Sequence, residues 1–182
     1  QGQRLFIVTQ KSPETENPAR EDLFVMGTVA EVKQIVKVPH NILRVLVEGL
    51  ERAKLVSLEE GDYLEADVAG VETEGFGDLP PEGKEAMYRN LKEIFQKYCE
   101  TSGKVGKDLA RQVLDAPNLE RLMVQVMIHT PFGWEQQQKL LETSDLSACY
   151  EALCIMLNNE IEIEHFRRGI QEKVKARVDK QQ

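Results

Sequence analysis

The stretch VLVEGLERAKLV, residues 45–56, decides the fold. It reads as a strand, an interruption at Gly49, and a second strand. Glycine beside charged residues suits a catalytic or phosphate-binding loop, but it also suits a tight bend in β-structure. Glycine inside a strand pattern commonly marks a bulge or a bend. On that reading EGLERAKL is the corner of a small barrel, with Arg52 placed to pair with Glu48 or Glu51.

The neighbouring residues extend the β pattern. FVMGTVAEVKQIVKV (24–38) is rich in β-branched residues, and PHN (39–41) follows as a turn. In ILRVLVEGL (42–50), Leu43, Val45 and Val47 share one face, so 24–50 reads as a β-hairpin with a short loop. RAKLVSL (52–58) and DYLEADVAGV (62–71) give two further strands around the turn EEGD. A strand-like run at 5–8 begins almost at once, and an upstream strand partner is expected. Residues 1–72 are therefore predicted to form a small antiparallel barrel or sheet.

Residues 73–84 read as a linker, rich in Gly and acid and holding the pair Pro80-Pro81. From 85 to 182 the period is helical. Met87, Leu91, Ile94, Phe95 and Tyr98 recur at spacings of three and four, and Gly103 suits a helix end. KDLARQVLDA, NLERLMVQVMIHT and WEQQQKLLET add three shorter helices. Residues 145–182 lack proline and contain a single glycine, Gly169, which predicts one helix of roughly 57 Å. Its first part is broadly apolar, from Leu146 to Ile161. Beyond that only Ile163, Phe166, Ile170, Val174 and Val178 remain, a stripe too narrow for a domain core. This part of the helix is expected to leave the globule and to meet a neighbouring subunit. The predicted fold class is α+β.

Composition narrows the function. The chain has 182 residues, 41% hydrophobic and 30% charged, with a net charge of −8. That balance argues against a dedicated nucleic-acid binder. From Arg167 onward there are six Lys/Arg against two Asp/Glu. This basic end is read as a solvated helix face, with an acidic partner or DNA as the alternative. No apolar run reaches the roughly 20 residues of a membrane span, so no membrane partner is expected. Cys99, Cys149 and Cys154 form no C-x-x-C pair. They read as small apolar core residues in a reducing, cytoplasmic setting.

Catalytic patterns fail on their details. TSGKVGKD resembles a phosphate loop only at Gly106-Lys107. Thr101 replaces the first glycine, and Asp108 stands where Ser/Thr would hold magnesium. Glu162 and His165 have the Glu-x-x-His spacing of a di-metal helix, but no second copy exists, so no metal site is expected. None of the three histidines lies in a nucleophile turn such as G-x-S-x-G.

GTVAEVKQIVKVP followed by ILRVLVEGLERAKLVSL resembles the amino-terminal domain of the Lon family of ATP-dependent proteases. The helical stretches from LPPEGKEAMYRNLKEIFQKY onward are similar to that family's helical bundle and long helix. The resemblance implies a PUA-like β-rich part, normally preceded by further barrel strands, and a helical part leading toward an ATPase module. ATP, magnesium and the Ser-Lys dyad belong to modules whose motifs are not in this sequence, so neither cofactor nor catalytic residue is carried over. The implied function is recognition of unfolded or degron-bearing proteins and support of a homohexamer. A stand-alone PUA-like adaptor or ligand-binding protein is the alternative reading; an RNA-binding module fits poorly with the acidic β-rich part.

Recognition of unfolded chains calls for exposed apolar surface with a polar rim. The candidate residues are Phe76, Phe132 and Trp134, large aromatics in Gly-containing loops, with Phe24 and Met26 as further candidates. The alternative role for the three aromatics is to plug the joint between the two parts.

Overall fold

The structure is a computed structural model and describes residues 2–182. It divides into two compact units, residues 1–73 and 74–182. The first holds four strands: β1 (Arg4–Ile7), β2 (Met26–Val38), β3 (Ile42–Glu60) and β4 (Leu64–Gly70). They form one antiparallel sheet in the order β1-β2-β3-β4, with β1 and β4 at its edges.

The two strands expected on either side of Gly49 are one strand, the 19-residue β3. Glycine does not turn a corner there. Ala30 pairs with Gly49 and Val29 with Glu51, leaving Leu50 without a partner opposite. That is a bulge, which twists a strand without ending it. Arg52 donates to Thr73 Oγ1 at 2.7 Å. A second bulge, at Lys33, falls where β1 stops.

Close approach of strands explains Gly27. A Cβ at this position would lie 2.5 Å from the Ile7 carbonyl oxygen and 2.6 Å from Phe6 Cζ. Glycine lets β1 lie against β2 at this point. Leu23, Met26, Val29, Ala30, Val32, Ala53 and Leu55 are buried in this unit.

The second unit contains α1 (Pro81–Ser102), α2 (Lys107–Leu114), α3 (Leu119–His129), α4 (Trp134–Glu142) and α5 (Leu146–Gln181). Helix α1 opens with proline at its first position, which lacks only an N–H that would be unpaired anyway. It ends at Gly103, whose φ of 65° makes the left-handed cap. Asn118 caps α3 by accepting from Arg121 N, and Asp145 caps α5 by accepting from Ser147 N. The core gathers Leu91, Phe95, Tyr98, Leu122, Leu153 and Leu157. The Tyr150 hydroxyl donates to the Met87 carbonyl at 2.9 Å and accepts from Asn90 at 3.0 Å, tying α5 to α1.

The expected linker is partly built into this unit. Glu74 N donates to Ser144 O and Leu146 N to Glu74 O. Phe76 packs on the helical core under Lys84, whose Nζ lies 5.4 Å from the ring centre. Helix α1 also starts four residues before the expected boundary at 85.

Along α5 the buried positions run from Cys149 through Ile161 to Glu164, and none follows. Glu164 meets Lys104 at 3.4 Å and Arg167 at 3.6 Å.

Candidate functional site

The distal half of the β2–β3 hairpin is an arm. Strand β1 pairs with β2 as far as Glu31, with Gly2 and Gln3 bonding on to Val32, and β4 pairs with β3 from Ala53 onward, with Val71 bonding to Arg52. Between these limits and the turn, residues 34–38 and 42–46 form a two-stranded ribbon. Its turn holds His40 and Asn41 at φ of 70° and 62°. Consecutive left-handed residues match the twist of a hairpin, and Asn tolerates that region well.

Residues directly opposite each other in an antiparallel ladder share a face. Leu46 with Gln34, Val36 with Arg44, and Ile42 with Val38 make one face; Ile35 with Val45, and Leu43 with Lys37, make the other. Both faces are thus largely aliphatic. Ile35, Val36, Ile42, Leu43, Val45 and Leu46 are all between 44% and 60% exposed. Full burial of one such side chain stabilises by roughly 1.5–3 kcal/mol, and the arm leaves much of that unrealised six times over. Isolated exposed apolar residues are ordinary, whereas a contiguous patch marks a contact surface. A shallow hollow of about 400 Å³ opens between Gln34, Val36, Arg44 and Leu46.

Charge is arranged around this surface. No Asp or Glu occurs from Val32 to Val47, while Lys33, Lys37 and Arg44 do. Lys33 sits at the base, 2.9 Å from Glu48 and 3.3 Å from Glu31. Its hydrogen bond to Glu48, then that to Glu31, raises its pKa. Lys37 and Arg44 lie further out, among the aliphatic side chains.

Of the residues singled out from sequence, Phe24 and Met26 belong to the first unit and the others to the second. Phe132 is 6% exposed and belongs to the helical core, and Met26 is 4% exposed within the sheet. Neither offers surface, because each is enclosed by its own unit. Phe24 is half-buried, and Phe76 is half-buried against the helical core. Trp134, the first residue of α4, is 42% exposed. Ile163, Phe166, Ile170, Val174 and Val178 are all exposed along α5. The arm was missed because alternation says which residues share a face, not whether anything covers it.

A hollow of about 670 Å³ in the helical unit is lined by Cys99, Gly103, Val105, Lys107, Ala110 and Leu114, among others. Burial pushes the Cys99 thiol up to about 11 and raises that of Cys154. Cys99 is therefore protonated at neutral pH, which suits packing and not nucleophilic attack.

Comparison with known proteins adds to this geometry. Residues 1–159 match the family model of the ATP-dependent protease La (LON) substrate-binding domain. The chain is 44% identical over 181 residues to a Lon protease of Lachnoclostridium phytofermentans, covering 99% of this chain and 22% of that protein. It is 33% identical over 180 residues to a Lon protease of Brevibacillus choshinensis, covering 98% and 23%. The chain thus spans under a quarter of the length of these relatives. Among solved structures, the N-terminal domain of Mycobacterium avium complex Lon protease matches with a TM-score of 0.56 and 16% identity, covering 86% of this chain and 90% of that one. At that identity the likeness concerns the fold alone.

Proposed function

The chain belongs to the Lon substrate-binding domain family, and from that premise we propose that it recognises unfolded or degron-bearing proteins for an ATP-dependent protease. The observation that carries this reading is the arm. A two-stranded ribbon, aliphatic on both faces and open to water, fits a surface that meets the apolar segments native proteins bury. The domain contributes binding, and peptide-bond cleavage belongs to other modules of such a protease, in the cytoplasm. No helix among the described residues is long and apolar enough to cross a membrane.

The α5 stripe supports a second part of the same reading. Phe166 is 75% exposed and Ile170 61%, on a helix with no buried residue after Glu164. A stripe of this width suits a helix–helix contact with another subunit of a homo-oligomer.

The test is fluorescence anisotropy of one labelled protein, native and unfolded, titrated with the 182-residue chain. Preference for the unfolded form supports the reading. Equal binding, or none, to both forms contradicts it.

A further inference from the structure

We propose that the arm selects extended segments in which aliphatic residues are accompanied by Asp or Glu; this rests on the substrate-recognition reading above and names the chemistry of its substrate. Charge complementarity carries the choice. Acidic residues dominate the chain, yet none lies between Val32 and Val47. Each face of the ribbon carries one cation beside its aliphatic side chains: Arg44 beside Val36, Leu46 and Ile42, and Lys37 beside Leu43, Ile35 and Val45. Neither cation has an ion-pair partner among the described residues. Lys33, by contrast, is occupied by Glu31 and Glu48.

A purely apolar captor would gain nothing from two unpaired cations inside its contact surface. A segment with carboxylates at matching positions pairs with them while its aliphatic side chains cover Leu43 and Leu46. The conformation follows from the ladder. Between the last partner of β1 and the first of β4, no strand among the described residues lies beside the outer edges of the ribbon. An exposed strand edge is a template for an extended chain, with pockets for alternate side chains giving selectivity.

The experiment uses the 182-residue chain and three labelled peptides of one aliphatic sequence, carrying Asp/Glu, Asn/Gln or Lys at the same positions. The expected order of affinity is acidic, then amide, then lysine. The acidic peptide should bind about fivefold tighter than the amide one at low salt, because two exposed pairs each contribute modestly. The gap should narrow as salt rises. In Lys37→Gln/Arg44→Gln the three peptides should bind alike. In Leu43→Ser/Leu46→Ser all three should weaken at least about tenfold with an unchanged melting curve. Equal binding of the three peptides by the unaltered chain overturns the proposal, as does an acidic preference that survives Lys37→Gln/Arg44→Gln. If Leu43→Ser/Leu46→Ser still prefers unfolded protein, this proposal fails while substrate recognition stands. Arm-dependent binding to phosphatidylglycerol–phosphatidylcholine vesicles without peptide binding would make the arm a lipid contact and also overturn it.

Discussion

Val36 and Arg44 are cross-strand partners on the β2–β3 ladder, so an aliphatic side chain and a guanidinium share one face of a ribbon that neither β1 nor β4 flanks. In a folded domain the aliphatic partner of such a pair normally contributes by burial. Here it is 44% exposed. The stability left unrealised on the arm is available to whatever covers it.

Polar substitution on the arm should therefore barely affect folding. Leu46→Ser, at a position 60% exposed, is expected to change unfolding free energy by under about 1 kcal/mol. Leu153→Ala, at a fully buried core position, should cost about 2–5 kcal/mol. Urea unfolding of the two variants checks the contrast.

Phe132→Ala should destabilise by about 3–5 kcal/mol, because the ring is enclosed in the helical core. Its effect on binding should vanish at temperatures where the variant is fully folded. Trp134→Ala should cost much less. Paired melting and anisotropy measurements separate the two roles.

Gly27→Ala should destabilise the sheet by about 1–3 kcal/mol, since the new methyl would sit 2.5 Å from the Ile7 carbonyl oxygen. Hydrogen exchange should locate the loss first at β1 and its partners on β2.

Phe166→Asp should leave the melting curve unchanged and abolish self-association at high concentration. Sedimentation of the unaltered chain and of this variant tests the stripe on α5. A monomer at every concentration for both contradicts the subunit contact.

Alkaline stability follows from two acids, the half-buried Cys99 and the buried Tyr150. Burial pushes the Cys99 thiol from 9.0 to about 11. It pushes the Tyr150 phenol from 10.0 to about 12, against the opposing hydrogen bond from Asn90. Both groups are neutral when protonated, and the folded state holds these protons more tightly. Their contribution is complete below the unfolded values and is lost as pH rises from about 9 toward 12. Denaturant midpoints should fall across that window, and Tyr150→Phe should flatten its upper part.

Much of the fold was legible because periodicity reports it directly. The change from strand to helix pattern, the hairpin turn at 39–41 and the long helix from Leu146 all follow local rules. At Gly49 the sequence offers a bulge or a bend, and a bulge is present where a barrel corner was expected; only the pairing of Ala30 with Gly49 and Val29 with Glu51 separates them. Phe132 is buried in the helical core although it lies outside a helix, where periodicity does not report burial. The arm was invisible for a related reason. Exposure depends on where β1 and β4 stop, and no residue of the arm encodes that.

The most direct measurement is photo-crosslinking. A benzophenone placed at Leu43, and in a second variant at Ile155 on α5, is irradiated with one protein in native and unfolded form. Both positions are exposed aliphatic sites, at 57% and 60%. The account predicts crosslinks from position 43 to the unfolded form alone and background levels from position 155. Equal crosslinking from both positions, or a signal confined to 155, would contradict it.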